Sequence, residues 1–149
     1  MTLRYGPFAV AAVLSFCVSV YAPAADPALL GADPPEVVDT LGSPSRVYVA
    51  ESDQVELSTV VFFYDDFRYL YFHDNRVWQI RYDERSSHTI MDLELGMERR
   101  EVVSLLGPPV ARDGNSATFE LDDRGFPARL RVFFEADTLI DVYMYRSDY

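Results

Sequence analysis

The sequence predicts an α+β chain of two tandem helix-plus-antiparallel-meander repeats, with the helices packed on one face of the sheet. Three observations predict it. Leu30-Gly31, Glu36-Val37-Val38, Leu41-Gly42 and Pro44 return as Leu95-Gly96, Glu101-Val102-Val103, Leu106-Gly107 and Pro109, all at one offset of 65. A second stretch, Leu70 to Ile80, lies over Val132 to Val142 at an offset of 62, so roughly three residues are missing from the middle of the second copy. In each copy a short capped apolar segment is followed by aromatic and β-branched runs separated by turn residues. These repeats divide the chain into a leading segment 1–24, a first unit 25–89 and a second unit 90–149.

The leading segment has the pattern of a secretory signal. Arg4 supplies the positive n-region, Phe8 to Val18 the apolar core, and Ala22-Pro23-Ala24 the small-x-small cleavage site, which places the mature terminus near Ala25. An uncleaved anchor is the alternative, against which stands a run shorter than the roughly 20 residues that span a bilayer. Lipidation at Cys17 is the other, but Phe16 fills the position that a lipoprotein signal gives to a small residue. Cys17 is the only cysteine, so cleavage leaves a chain with no disulfide, as suits a periplasmic or exported protein held together by its core.

Each unit then reads as a helix and a meander. Asp33 is an N-cap, Pro34 occupies the first helical position, and Glu36 stands three residues on as in a capping box. Val37, Val38 and Leu41 form one face, and Gly42 ends the helix in a left-handed conformation. In the second unit Glu98 begins the turn, Val102, Val103, Leu105 and Leu106 form the face, and Gly107-Pro108-Pro109 stops it. Strands are expected at Arg46–Glu51, Val55–Tyr64, Arg68–His73 and Arg76–Tyr82, then at Ala117–Leu121, Ala128–Glu135 and Leu139–Tyr145. Asp74-Asn75 and Ala136-Asp137 are the hairpin turns, while Asp65-Asp66 and Asp122-Asp123-Arg124-Gly125 join the preceding strands.

Composition bounds the partners. The 149 residues carry 13 Lys+Arg against 24 Asp+Glu, a net charge of -11, which excludes a nucleic-acid footprint and direct docking on anionic lipid. Every basic residue is Arg and no clustered basic face accompanies them, so the bias reads as one of codon usage.

The pattern Gly-x-x-x-x-Glu-Val-Val-x-x-Leu-Gly-x-Pro, followed by an aromatic hairpin of the Phe-x-Asp-x-x-Val kind, resembles the SmpA/OmlA-type (BamE-like) repeat family and the tandem repeats of β-lactamase inhibitor proteins. The resemblance implies an envelope protein that binds other proteins, either as an accessory in outer-membrane protein assembly or as an inhibitor-like binder of an envelope enzyme. The shared residues, Gly31 to Pro44 and Gly96 to Pro109, are scaffold, so no binding residue is carried over.

Strand alternation locates the expected binding surface. Pairing Phe72 with Val77 puts Tyr69, Tyr71, Trp78, Ile80 and Tyr82 on one face and Leu70, Phe72 and Val77 on the other. Phe133, Ile140, Val142 and Met144 likewise oppose Val132, Phe134 and Leu139. Helices cover only one face, so the other must meet the second repeat, loops or a partner. Tyr69, Tyr71, Trp78 and Tyr82 are the expected partner-binding residues, because Tyr and Trp join large contact area to a polar tip. Asp65, Asp66, Asp74, Asp83 and Glu84 around them favour a basic partner; burial of the stripe in a homodimer is the alternative.

No enzyme is expected. His73 and His88 are the only histidines, and there is no Gly-x-Ser-x-Gly elbow or phosphate-cradling loop. His73 beside Asp74 reads as a turn residue, and no metal or other cofactor is implied. A hydrolase with an unrecognised carboxylate site is the weakest alternative, since no acidic pair stands out.

Overall fold

The computed structural model describes residues 26–50, 59–121 and 125–149. The expected signal segment with Cys17, Glu51 and residues 55–58 of the first two expected strands, and Asp122-Asp123-Arg124 of the later link lie outside the described residues.

A 3₁₀ turn at Asp26–Leu29 precedes helix α1 (Pro34–Leu41) and strands β1 (Arg46–Ala50), β2 (Thr59–Tyr64), β3 (Arg68–His73) and β4 (Arg76–Tyr82). Helix α2 (Arg99–Leu106) follows, then β5 (Ala111–Asp113), β6 (Ser116–Glu120), β7 (Ala128–Glu135) and β8 (Thr138–Arg146). The eight strands of the described residues form one antiparallel sheet in the order β1-β2-β3-β4-β8-β7-β6-β5.

That topology corrects the expected fold class. Instead of two tandem helix-plus-meander repeats, one continuous eight-stranded sheet carries the chain, because β4 and β8 pair from Gln79↔Tyr145 to Tyr82↔Val142. The two helices have eight residues each and bury one residue apiece, Val37 and Val102; helices this short are held by the sheet rather than forming a layer of their own. Val37 and Val102 join one cluster with Leu70, Ile80, Leu130 and Met144, so the core is shared across the β4–β8 seam. Each of those fully buried aliphatic side chains contributes roughly 1.5–3 kcal/mol.

Local chemistry explains the helix ends. The Asp33 amide donates to Glu36 Oε2 at 2.8 Å and the Glu36 amide to Asp33 Oδ1 at 3.0 Å, which completes the capping box. At α2 the Glu98 amide donates to Glu101 Oε2 at 2.9 Å. The stop glycines differ from expectation. Gly42 has φ 80° and ψ -175°, Gly107 φ 81° and ψ -167°, which is the mirror of an extended strand rather than a left-handed helical turn, and only glycine enters it without strain.

The hairpins form where expected. Asp74 and Asn75, and Ala136 and Asp137, all take positive φ in two-residue loops. Just beyond each loop a backbone segment docks on the strand. Gly31 N–H donates to Val77 O and Val77 N–H to Ala32 O, and the same pair of bonds links Gly96 and Met97 to Leu139. Immediately afterwards each hairpin carries a β-bulge. Tyr71 pairs with Gln79 and Phe72 with Val77, leaving Trp78 unopposed; Phe133 pairs with Asp141 and Phe134 with Leu139, leaving Ile140 unopposed.

The bulges correct the expected faces. One extra residue reverses the alternation for the rest of a strand, so Ile80 and Tyr82 turn into the core with Val77, and Val142 and Met144 join Leu139 there.

Candidate functional site

The helices and the shared core occupy one side of the sheet, and the residues of opposite parity form a face that, among the described residues, is helix-free. Across its width run Phe63 on β2, Tyr69 and Tyr71 on β3, Gln79 and Arg81 on β4, Tyr143 and Tyr145 on β8, and Arg131 and Phe133 on β7. Phe63 is buried on this side beneath Arg46, whose guanidinium stands 4.6 Å from the ring centroid, and against Tyr69 at 5.0 Å. Arginines and aromatic rings therefore cover the sheet where helices do not.

Three of the four expected binding residues lie on this face. Tyr69 is half-buried, and its hydroxyl donates to Asp83 Oδ2 at 2.7 Å and accepts from Arg85 at 2.8 Å. Burial first, and the bond to Asp83 second, push the Tyr69 phenol up to about 12. Tyr71 is half-buried with its phenol raised by burial. Trp78 is half-buried at the bulge and lines an open cleft. Tyr82 is not among them. It is fully buried on the core side, its ring stacked on His88 at 5.5 Å.

The acidic surround is partly consumed within the chain. Asp83 is buried and bonded to Arg85 and Tyr69; hydrogen bonds from Arg85 chiefly hold its carboxyl down to about 2. Asp66 pairs with Arg68 at 2.7 Å. Asp65, Asp74 and Glu84 remain exposed.

At the centre of the face Arg81 holds Asp141, with Nη2 to Oδ2 at 2.6 Å and Nε to Oδ2 at 3.1 Å. Burial raises the Asp141 carboxyl above its usual range even with the guanidinium bonded to it, and the hydrogen bonds to Asp141 raise Arg81 in turn. Tyr69 and Tyr143 flank the pair, their ring centroids 5.6 and 5.3 Å from the Arg81 guanidinium.

Beside this pair an open cleft of about 290 Å³ is lined by Trp78, Gln79, Arg131, Phe133, Tyr143 and Tyr145. Strand alternation in the sequence selects Trp78 for the outward stripe and sets Phe133 opposite Val132 and Phe134, but it does not select Arg131, Tyr143 or Tyr145. The signal was there in β7, where Arg129, Arg131 and Phe133 alternate with Leu130, Val132 and Phe134.

Catalytic groupings are sparse. His73 is exposed at a hairpin end, 3.7 Å from Asp74 and edge-on to Tyr149 at 5.1 Å. Among the described residues no three His, Cys, Asp or Glu side chains gather as metal ligands, and no helix is long and apolar enough to cross a membrane.

No protein-family model and no curated protein matches the chain. Solved structures do. An extracellular protein containing an SCP domain from Bacillus anthracis superposes with a TM-score of 0.56 over 99% of this chain and 51% of its own, at 11% identity. A cysteine-rich secretory protein from Staphylococcus aureus gives a TM-score of 0.50 over 81% of this chain and 46% of its own, at 12% identity. The chain thus spans about half the length of each neighbour, and at these identities the likeness is one of fold alone. These neighbours overturn the resemblance to SmpA/OmlA-type and β-lactamase inhibitor repeats, and the expectation of a BamE-like role in outer-membrane assembly falls with it. The quoted motif is helix-capping and helix-stopping chemistry, which any fold with a short helix on a sheet can carry.

Proposed function

We propose that this chain is an exported protein-binding module that engages its partner through the helix-free face of the sheet, around Tyr69, Tyr71 and Trp78. The extracellular and secretory descriptions of the two structural neighbours named above are consistent with an exported protein, as is the signal pattern in residues 1–24. The observation that carries the binding reading is the cleft at Trp78. There a half-buried Trp and two Tyr side chains stand beside an arginine on a sheet face with no helix over it among the described residues, the composition that protein interfaces favour. Rigid strands also present those rings with little entropy left to lose on binding.

Site-specific photo-crosslinking tests this reading. With a benzophenone amino acid at Tyr71 in the native host, a single discrete adduct is expected, absent when the same group replaces Thr40 on the helix side and lost on Trp78→Ala. Equal labelling from both positions, or none from either, would end the proposal.

One observation favours a second reading. Edge strand β1 leaves Val47 and Val49 exposed at 58% and 56%, although their partners Phe62 and Val60 put them on the core side of the sheet. An apolar edge with no further strand beside it among the described residues is a template for a second copy. Light scattering separates the two, since Val47→Lys turns a β1-paired dimer into a monomer and leaves a monomeric binder unchanged.

A further inference from the structure

Arg131 on β7 is exposed on the helix-free face. Its Nε donates to Thr118 Oγ1 at 3.4 Å and its guanidinium stands 5.8 Å from the Tyr145 ring centroid. Neither contact is a carboxylate, whereas the arginines around it are engaged, Arg81 by Asp141 and Arg129 by Glu120 at 3.9 Å. The same contrast separates the clefts. Two others, of about 390 and 490 Å³, contain Arg129 and Arg76, and each of those arginines faces a glutamate of its own cleft, Glu120 and Glu36. In the Trp78 cleft the cation has aromatic walls, and no carboxylate is among the residues that line it.

Resting on the reading of this face as the partner surface, we infer that the Trp78 cleft takes an extended partner segment that presents a carboxylate side chain between apolar ones. The carboxylate seats on the Arg131 fork, and its apolar neighbours lie on Trp78, Phe133 and Tyr143. A guanidinium set against aromatic rings gains more from a carboxylate than a fully hydrated one does, and planar bidentate pairing gives the site direction. A basic partner, the expectation from composition, meets repulsion here. Asp83 and Asp66, two of the acids that motivated it, are bonded within the chain. The net charge of -11 acts at long range, but a Debye length of about 8 Å at physiological salt leaves the local guanidinium to decide.

Trp78 is the only tryptophan, so intrinsic fluorescence reports on this cleft directly. The probes are the blocked peptide acetyl-Leu-Val-Glu-Val-Leu-amide and its Gln and Lys analogues, titrated into the full chain. The Glu peptide is expected to give a saturable shift, with the Gln peptide about tenfold weaker and the Lys peptide weaker still. Arg131→Gln, checked for an unchanged circular-dichroism spectrum, abolishes the Glu–Gln difference; Arg129→Gln, on the same strand, keeps it. Equal binding of the Glu and Gln peptides, a difference that survives Arg131→Gln, or silence of every peptide overturns the inference. Equal binding, or silence with a Tyr71 crosslink still formed in the native host, removes the carboxylate and leaves the face as the partner surface. Silence without a crosslink removes both.

Discussion

Arg81 and Asp141 clasp the seam between β4 and β8, sixty positions apart in sequence and joined by guanidinium-to-carboxylate bonds as short as 2.6 Å. The clasp lies on the helix-free face, directly over the strand pairing that turns two meanders into one sheet. Its side chains are 31% and 16% exposed, so it is neither a free surface pair nor a dry one. Removing one partner leaves the other charge under-compensated on a half-buried face.

Arg81→Met and Asp141→Asn are therefore each expected to cost about 1–3 kcal/mol in urea unfolding. The double variant is expected to cost less than the sum, because the second change removes an already orphaned group. Strict additivity would show that the two side chains do not act as a pair.

Stability should respond to pH at both extremes. Asp83 is held down to about 2 in the folded chain from an ordinary 3.8, so its contribution is complete above about pH 4 and is lost as pH falls through about 2. Asp141 opposes it with a raised pKa, and Asp83→Asn should flatten the acid limb where Asp141→Asn steepens it. Tyr69 is raised from 10.0 to about 12. Its contribution is complete below about pH 10 and is lost as pH rises through about 12. Phenolate absorbance should find several tyrosines late at high pH, because burial raises Tyr64, Tyr71 and Tyr143 as well, and Tyr69→Phe should reduce that late amplitude by one phenol; an unchanged amplitude would detach the Tyr69 phenol from the Asp83 cluster.

Gly42 and Gly107 make a backbone prediction. A Cβ at either position would meet nothing within 4 Å, so crowding cannot be the reason for glycine there. The cost lies in φ values of 80° and 81° with extended ψ, a region essentially closed to L-residues. Gly42→Ala and Gly107→Ala are each expected to lose about 1–3 kcal/mol by thermal or urea unfolding. A neutral alanine would mean that the helix end relaxes into another conformation.

Much of the local structure was legible in the residues. Asp33 with Glu36, and the turns at Asp74-Asn75 and Ala136-Asp137, act through side chains and backbone freedoms a few positions apart, and local chemistry of that kind survives into the fold. The union of β4 with β8 was not legible, because the offset repeat looks the same whether its copies stand apart or share a sheet. Nor was β5, three exposed residues without an apolar signal. The site was half legible. Tyr69, Tyr71 and Trp78 share the helix-free face, but strict period-two counting carried Tyr82 out with them, since a bulge leaves no mark in hydropathy. Arg131 was read as compositional bias, although its alternation with Leu130 and Val132 already placed it opposite the core.

The bulge at Trp78 supports the sharpest test of that geometry. Trp78 has no partner across the hairpin, while Val77 and Gln79 on either side pair with Phe72 and Tyr71. Deleting Trp78 closes the ladder without altering the parity of Ile80 or Tyr82, so the core stays in place and the chain should fold with a small loss of stability. Deleting Ile80 instead removes a core residue and forces Arg81 toward the buried side, and that chain should fail to fold. Trp78→Ala and Tyr82→Ala extend the contrast. The first should leave most of the melting transition intact while abolishing the Tyr71 crosslink, and the second should cost about 3–5 kcal/mol. If removal of Trp78 unfolds the chain as readily as removal of Ile80, the indole belongs to the core and the helix-free face loses its centre.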